Sequence, residues 1–227
     1  MKQIARHFCA PVSTIKSRFR RNELWTRPRG LAPQHCRLTS TLLELLHGLL
    51  LGDGSVVIGR SGRTPYLTVT QNQRRVGWLR LLRDELRVNG IGTRIIPTSF
   101  NRSILRSKCY VEFTSVHAAW YCDKQKVVPR TLHLTPRSLA HWFFGDGTNG
   151  DVRGARQLTL YTQGFVESDV EFLAEQLRER FGWNARVNKG PIIRINRQHE
   201  IDDFLNTVAP FTPPCLRYKL ARSSHAS

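Results

Sequence analysis

Two segments of this sequence resemble each other and constrain the fold more than any other feature. Residues 45–55 read LLHGLLLGDGS and residues 138–148 read SLAHWFFGDGT, so each is an apolar run of helical length that ends in Gly-Asp-Gly. Similar alternating and helical apolar patterns follow both segments. An internal duplication of this kind predicts two units of one architecture that pack against each other.

Local signals predict where the two apolar helices begin. Thr41 and Glu44 are spaced for a capping box, in which each side chain binds the other residue's exposed backbone N–H. Thr135 followed by Pro136 supplies an N-cap and a proline at the first helical position, where its missing N–H costs nothing. Both apolar runs are therefore expected to be helices that end at an aspartate.

The residues after each apolar helix predict the same series of elements. In the first copy we expect strands at 55–59 and 64–70, a helix at 76–88, strands at 94–98 and 110–114, and a helix at 116–122. In the second copy we expect a strand at 157–162, a helix begun by a capping box at Ser168 and Glu171, strands at 185–188 and 192–196, and a helix at 200–208. Each unit is αββαββα, and the fold class is α+β.

The chain divides into five predicted parts. Residues 1–26 form a small N-terminal module, and residues 27–38, which contain prolines and a glycine without apolar periodicity, form a linker. The first repeat is expected at 39–130, the second at 131–220, and a short tail at 221–227.

Charge indicates the class of partner. The 227 residues contain 35 Lys and Arg against 17 Asp and Glu, a net charge of +18. Basic residues occur along the whole chain and not on one amphipathic helix, which favours nucleic acid over a membrane surface. No stretch approaches the roughly 18 apolar residues of a membrane span, and the N-terminus lacks the apolar region of a secretory signal. We therefore expect an intracellular protein, in a bacterial cytoplasm or an organelle, that is not secreted.

The glycines and aspartates of the repeated motif carry the chemistry. Gly48 and Gly52 lie four residues apart on one helical face, where a second backbone can approach closely, although His141 stands where the first copy has Gly48. Asp53 and Asp146 follow the apolar helices at the end where the helix dipole disfavours a carboxylate. If the helices pack together, the two carboxylates converge and require cations. Such a pair suits Mg²⁺ and metal-assisted phosphodiester hydrolysis.

These motifs carry a family resemblance. LHGLLLGDG at 46–54 and LAHWFFGDG at 139–147 resemble the two motifs of single-chain LAGLIDADG homing endonucleases, and the order of elements is similar over about residues 39–220. The resemblance implies a monomer whose two repeats form a saddle over double-stranded DNA. It also implies that Asp53 and Asp146 bind a catalytic divalent metal, with the carbonyls of Gly52 and Gly145 as further ligands.

Further catalytic residues follow from the resemblance. Lys126 and Lys219 match the basic residue that the family places near each scissile phosphate, and each lies 73 residues after its aspartate, although Lys124 is a rival to Lys126. Gln71 and Gln163 match glutamines that end a strand beside the active centre and help to hold the attacking water. The alternative for each residue is an ordinary polar side chain at the surface.

The polar faces of the predicted strands are the expected DNA contacts. In the first half these contacts are Arg63, Tyr66, Thr68 and Thr70, and in the second half they are Arg156, Thr159, Tyr161, Arg194 and Asn196. Half of any exposed strand is polar, so each single contact is weaker than the group.

The N-terminal module resembles a helix-turn-helix. In IARHFCAPVSTIKSRF at 4–19 the first helix is followed by a turn at Cys9-Ala10-Pro11. The residues expected to face DNA are Ser13, Thr14, Lys16, Ser17 and Arg18. A basic helical arm that packs on the catalytic part is the alternative.

These features together predict a site-specific, double-strand DNA endonuclease that acts on a long asymmetric target with Mg²⁺, for which Mn²⁺ substitutes. Two alternatives remain open. One is a DNA-binding regulator that keeps the fold without catalysis, and the other is a maturase that binds intron RNA.

Overall fold

The computed structural model describes residues 34–59, 64–152 and 154–221, with the side chain of Val152 excepted. The chain divides into two compact units at the Pro33–Gln34 bond. The predicted helix-turn-helix residues Ser13, Thr14, Lys16, Ser17 and Arg18 lie outside the described residues, and so does Arg63.

The first repeat has the predicted order αββαββα and ends in a short hairpin. Its elements are α1 (Ser40–Leu51), β1 (Gly54–Ile58), β2 (Pro65–Asn72), α2 (Val76–Val88), β3 (Thr93–Thr98), β4 (Arg102–Cys109), α3 (Phe113–Trp120) and the hairpin strands β5 (Tyr121–Cys122) and β6 (Gln125–Lys126). A single 3₁₀ turn, Gln73–Arg75, joins β2 to α2.

The second repeat has the same order. Its elements are α4 (Pro136–Asp146), β7 (Gly147–Val152), β8 (Ala155–Tyr161), α5 (Glu167–Phe181), β9 (Arg186–Asn188), β10 (Ile192–Ile195) and α6 (Gln198–Val208). Two 3₁₀ helices follow, Ala209–Phe211 and Pro214–Lys219. The predicted α+β architecture of two αββαββα repeats is confirmed.

Each repeat contains one antiparallel four-stranded sheet, and the two sheets have equivalent strand orders. The first is β1-β2-β4-β3 and the second is β7-β8-β10-β9. Along β2 the buried Leu67 and Val69 alternate with the half-buried Tyr66, Thr68 and Thr70. One face of the sheet therefore packs on the helices and the other is open.

Three local predictions were wrong. Helix α1 begins earlier than expected, and Thr39, not Thr41, is the N-cap, with its hydroxyl accepting from the Leu42 N–H at 3.2 Å. Helix α5 begins after Val166, which makes no side-chain cap bond, so the capping box at Ser168 and Glu171 is absent. By contrast, Thr135 caps α4 as predicted and forms a capping box with Ser138.

The third error concerns the last strand of the first sheet. The strand predicted at 110–114 is β4, Arg102–Cys109, and the residues after it turn into α3. Tyr110, the first residue after β4, is buried, and its hydroxyl accepts from the Gly92 N–H at 2.7 Å. Its side chain therefore packs against the sheet, and its backbone does not continue the strand.

The last residues of the predicted linker contact the first repeat. The Cys36 N–H donates to Glu112 Oε2 at 3.0 Å, and the Val111 N–H donates to the Gln34 carbonyl at 3.1 Å. Residues from Gln34 onward thus belong to the larger unit. Among the helices of the described ranges, none combines the length and apolar composition needed to cross a bilayer.

Candidate active site

The two motif helices, α1 and α4, pack against each other through their glycines. A Cβ atom added at Gly48 would lie 2.3 Å from the Ser138 carbonyl oxygen and 2.7 Å from the His141 Cβ. The absence of a side chain at Gly48 therefore makes room for His141, which is buried and has Nε2 3.4 Å from Glu85 Oε2. Gly48 and His141 occupy equivalent positions of the two motifs and face each other. The histidine is therefore compatible with close packing of the helices, because Gly48 leaves space for it.

The backbones remain close at the ends of these helices. A Cβ added at Gly145 would lie 3.3 Å from the Gly52 Cα and 3.0 Å from the Asp53 nitrogen. The same added atom would lie 3.3 Å from Asp53 Oδ2. The crossing of α1 and α4 thus brings Asp53 and Asp146 side by side, as the sequence predicts for packed helices.

The electrostatics of this carboxylate pair depart from those of exposed aspartates. Burial, together with the negative charge of Asp53, raises the pKa of Asp146 to about 6, although Lys126, Lys219 and Arg75 oppose the shift. Two carboxylates in one partly desolvated site repel each other, so cations stabilise the pair.

The structure places Lys126 and Lys219 at equivalent points of the two repeats. Lys126 Nζ donates to the carbonyls of Gly54 at 2.9 Å and Gly52 at 3.4 Å. Lys219 Nζ donates to Gly147 at 2.9 Å and to two further carbonyls of α4 at 2.7 and 2.9 Å. Each ammonium therefore lies at the negative end of its own motif helix.

Desolvation lowers the pKa of both lysines, to about 8 for Lys126 and about 7 for Lys219, while both aspartates oppose the shift. Arg75 contributes to the lowering at Lys219. The rival residue Lys124 is exposed in the turn between β5 and β6, where its φ is +68°. The geometry therefore places Lys126, and not Lys124, beside the acids.

The two glutamines occupy different positions. Gln71 is buried at the end of β2, and its Nε2 donates to Asp53 Oδ2. Gln163 is exposed in the turn after β8. Because Gly54 pairs with Val69 and Gly147 pairs with Leu160, the position equivalent to Gln71 is Thr162, whose hydroxyl donates to the Pro191 carbonyl at 2.6 Å. The structure brings only one of the two glutamines to the acids.

Arg75 belongs to the site, although it is not among the site residues predicted from the sequence. Its Nη1 donates to Gln71 Oε1 at 3.5 Å from the 3₁₀ turn that precedes α2. It lines an open cleft of about 470 Å³ whose other lining residues are Asp53, Thr70, Gln71, Asn72, Arg102, Gly145 and Asp146. Its position four residues after Gln71, at a predicted helix start, was the available signal.

The predicted DNA contacts divide between the two faces of the sheets. Tyr161 is exposed and Arg194 is half-buried, whereas Thr159 is buried although it lies on the open face. Asn196 accepts from Gln157 Nε2 at 2.8 Å just beyond β10.

Arg156 does not lie on the open face, contrary to prediction. It follows the phase of the buried Leu158, and its guanidinium donates to Asn149 Oδ1 at 3.0 Å and to Asp202 Oδ1 at 2.7 Å on α6. It connects the sheet to its helical layer.

The open face of the first sheet carries three arginines that the sequence analysis missed. Arg94 lies on β3, and Arg102 and Arg106 lie on β4. Arg102 and Arg106 were missed because the strand that carries them was predicted eight residues too late, whereas Arg94 lies within the predicted strand at 94–98 but was not selected as a DNA contact. The true position of β4 puts Arg102 and Arg106 on the open face, four residues apart.

Residues 43–199 match the profile of the LAGLIDADG DNA endonuclease family. A probable intron-encoded endonuclease of Wickerhamomyces canadensis is 40% identical over 95 residues, which cover 39% of this chain and 40% of that protein. A cytochrome b mRNA maturase of Debaryomyces hansenii is 24% identical over 199 residues, which cover 81% of this chain and 74% of that protein. The match to the Wickerhamomyces canadensis endonuclease thus covers less than half the length of that protein.

Solved structures agree with the fold. The homing endonuclease I-WcaI, in a structure with its DNA recognition sequence, is similar to this chain with a TM-score of 0.66 at 22% identity, over 89% of this chain and 97% of that one. The family profile covers well over half of the sequence and includes the first motif, the second motif and both sheets. This chain belongs to the LAGLIDADG DNA endonuclease family.

Proposed function

We propose that the protein is a metal-dependent endonuclease that cuts both strands of double-stranded DNA at a long asymmetric target. The observation that carries this proposal is the meeting of Asp53 and Asp146 at the crossing of α1 and α4, with one lysine bonded beside each helix end. Each repeat then supplies one acid and one lysine for one strand. The family membership and the similarity to a DNA-bound homing endonuclease support the same conclusion.

The donor set suits a hard divalent cation. Within residues 34–59, 64–152 and 154–221, no three His, Cys, Asp or Glu side chains are grouped so that they could hold a metal ion. The proposed acidic ligands are therefore the two aspartates. Mg²⁺ commonly takes one or two carboxylates and completes its coordination with water and phosphate. The carbonyl of Gly145 is a further candidate ligand, whereas that of Gly52 already accepts from Lys126. When bound, a divalent cation would supply a Lewis acid for the phosphodiester.

The side chains of the site have distinct proposed roles. Asp53 and Asp146 hold the cation, and Gln71 orients the Asp53 carboxylate and a water molecule. Lys126 and Lys219 stabilise the charge that develops on the phosphate. Gln163 is exposed in the turn after β8, so in this proposal the second repeat depends on other groups for the role of Gln71.

The open faces of the two sheets are the proposed DNA surface. Their polar side chains can bind base edges, and their arginines can bind phosphates. A net charge of +18 adds a sequence-independent attraction that salt weakens. The N-terminal segment, which the sequence predicts to be a helix-turn-helix, is proposed as a second DNA contact.

Replacing one acid tests the proposal. The protein is incubated with Mg²⁺ and a plasmid library of candidate sites, and the new DNA ends are sequenced. This experiment should identify one long recognition sequence that contains the cleavage site. Asp53→Asn and Asp146→Asn should each abolish double-strand cleavage while DNA binding persists, because the shared cation is lost without loss of the binding surface. Chelation of the metal should have the same effect.

The matched control is Asp123→Asn, which neutralises an exposed acid in the turn between β5 and β6. It should leave cleavage unchanged. Full double-strand cleavage by either Asp53→Asn or Asp146→Asn would refute the shared-metal site.

Intron RNA is a second candidate ligand, favoured by the similarity to a maturase over 81% of this chain. The two ligands compete for the same basic surface under this hypothesis. A structured intron transcript should then displace labelled target DNA, and failure to do so at matched concentration excludes it.

A further inference from the structure

The same series of side chains crosses the open face of each sheet, starting two residues after each aspartate. In the first sheet the strand pairs Ser55↔Thr68, Thr68↔Arg106 and Arg94↔Arg106 align the row Ser55, Thr68, Arg106 and Arg94. In the second sheet the pairs Thr148↔Thr159, Arg194↔Thr159 and Arg194↔Arg186 align the row Thr148, Thr159, Arg194 and Arg186. Each row is two hydroxyl residues followed by two arginines.

The paired arginines are unfavourable in the free protein. Like charges directly opposite each other on neighbouring strands destabilise a sheet. Arg94 opposes Arg106 and Arg186 opposes Arg194, so the unfavourable pair occurs twice at equivalent positions. A polyanion that lies on the open face relieves both repulsions, which points to DNA contact at both rows.

The inner arginine of each row is held in place. The Arg106 guanidinium carbon lies 3.8 Å from the centroid of the Tyr66 ring, a cation–π arrangement. Arg194 is half-buried, and its Nε is shielded from solvent without a hydrogen-bond partner among the described residues. A guanidinium restrained by an aromatic ring or by partial burial suits bidentate recognition, because little side-chain entropy is lost on binding.

The outer arginine of each row is freer. Arg94 and Arg186 are exposed on β3 and β9, each of which lies at one edge of its sheet. A long, exposed basic side chain at an edge suits a phosphate contact, which fixes position without reading sequence.

We infer that Arg106 and Arg194 each read one guanine, and that these guanines lie on opposite strands at equal distances from the centre of the cleavage site. A bidentate arginine–guanine contact is the commonest specific contact in the major groove. Because both rows begin at the same step after Asp53 and Asp146, the two contacts fall at symmetry-related positions. This inference rests on the proposed function and adds a symmetric pair of guanines to an otherwise asymmetric target.

Selection of bound duplexes from a randomised library, with the metal chelated so that nothing is cut, tests the inference. The full-length wild-type protein should select two guanines on opposite strands at equal distances from one centre, each preferred roughly 5- to 150-fold over other bases. Arg106→Lys should remove the preference at one of these positions and Arg194→Lys at the other, because lysine keeps the charge but not the bidentate geometry.

Arg94→Lys and Arg186→Lys are the matched controls, and both should leave the base preferences intact. Tyr66→Leu removes the ring beneath Arg106 and should weaken only the guanine preference that Arg106→Lys removes. If the melting temperature of Arg106→Lys shows that it does not fold, the guanine preference of Tyr66→Leu tests the inference in its place.

Two results would overturn the inference: selected sites without a symmetric guanine pair, or inner-arginine variants that retain both preferences. Cleavage in Mg²⁺ is scored separately. Specific cleavage without the guanine pair would overturn this inference alone. A guanine pair in bound DNA without cleavage would overturn the proposed endonuclease activity alone.

Discussion

At the scale of single residues, the two lysines have an observed structural contact that can be distinguished from their proposed chemical role. Each ammonium caps the carbonyl end of a motif helix, and desolvation lowers its pKa towards neutrality. A purely structural cap would stabilise the helix without affecting the rate of cleavage once the protein is folded. The same position also lies next to the acids, where a positive charge can act on a phosphate.

Lys126→Met and Lys219→Met should each slow cleavage about 100-fold in single-turnover assays. Positioned electrostatic stabilisers commonly contribute ~3 kcal/mol to a transition state. Affinity for DNA should fall only slightly, because one phosphate contact among many is removed. Lys124→Met, which neutralises the exposed lysine two residues away, is the control and should leave cleavage unchanged. Damage from Lys124→Met alone would contradict the assignment of Lys126.

At the scale of secondary-structure elements, the contact of α1 with α4 positions the acids. The helices can approach because Gly48 and Gly145 present no side chain to the partner helix. The glutamine beside Asp53 has no glutamine counterpart beside Asp146, since Thr162 stands at the equivalent position. Duplicated elements thus provide the symmetric frame, and single substitutions make the two halves of the site unequal.

Gly48→Ala should destabilise the protein by about 3 kcal/mol, because overpacking a rigid contact commonly costs 1–3 kcal/mol and here the added methyl meets a backbone carbonyl. The melting temperature should fall by roughly 6 to 12 °C. Gly77→Ala is the matched control in helix α2. Its added Cβ would lie 3.7 Å from the Cys215 Cβ, which is an ordinary contact. It should be neutral or stabilise by up to about 1 kcal/mol. Equal melting temperatures for the two variants would contradict the close packing.

At the scale of the whole molecule, two binding units on one chain are expected to act together. The larger unit begins at Gln34, and its first residues hydrogen-bond to the first repeat. The sequence predicts a helix-turn-helix in the smaller unit. Linking two DNA-binding units raises affinity through effective concentration without altering the catalytic centre.

Deleting residues 1–33 should therefore shorten the DNA footprint, weaken binding and reduce its salt dependence. Single-turnover cleavage at saturating protein should be nearly unchanged, because both acids and both lysines lie in the larger unit. Footprinting and thermal melting of the truncated protein separate this outcome from the alternative of a packed arm. A lower melting temperature with an unaltered footprint would exclude the helix-turn-helix.

The sequence by itself determined the αββαββα repeats, the helix ends that carry Asp53 and Asp146, and the spacing of the lysines. These features are encoded locally: apolar periodicity selects helix or strand, and the Gly-Asp-Gly motif marks the point where an apolar helix stops. Because the sequence is internally duplicated, each element predicted in one repeat can be compared with its counterpart in the other.

The tertiary structure decided which side chains share a surface. The folded chain placed β4 at Arg102–Cys109, Arg156 on the helical face, and Thr162 instead of Gln163 at the position equivalent to Gln71. It also brought Arg75 to the acids and aligned the arginine rows. Register could not be deduced from the sequence, because a one-residue shift keeps the composition of a strand and moves each side chain to the other face.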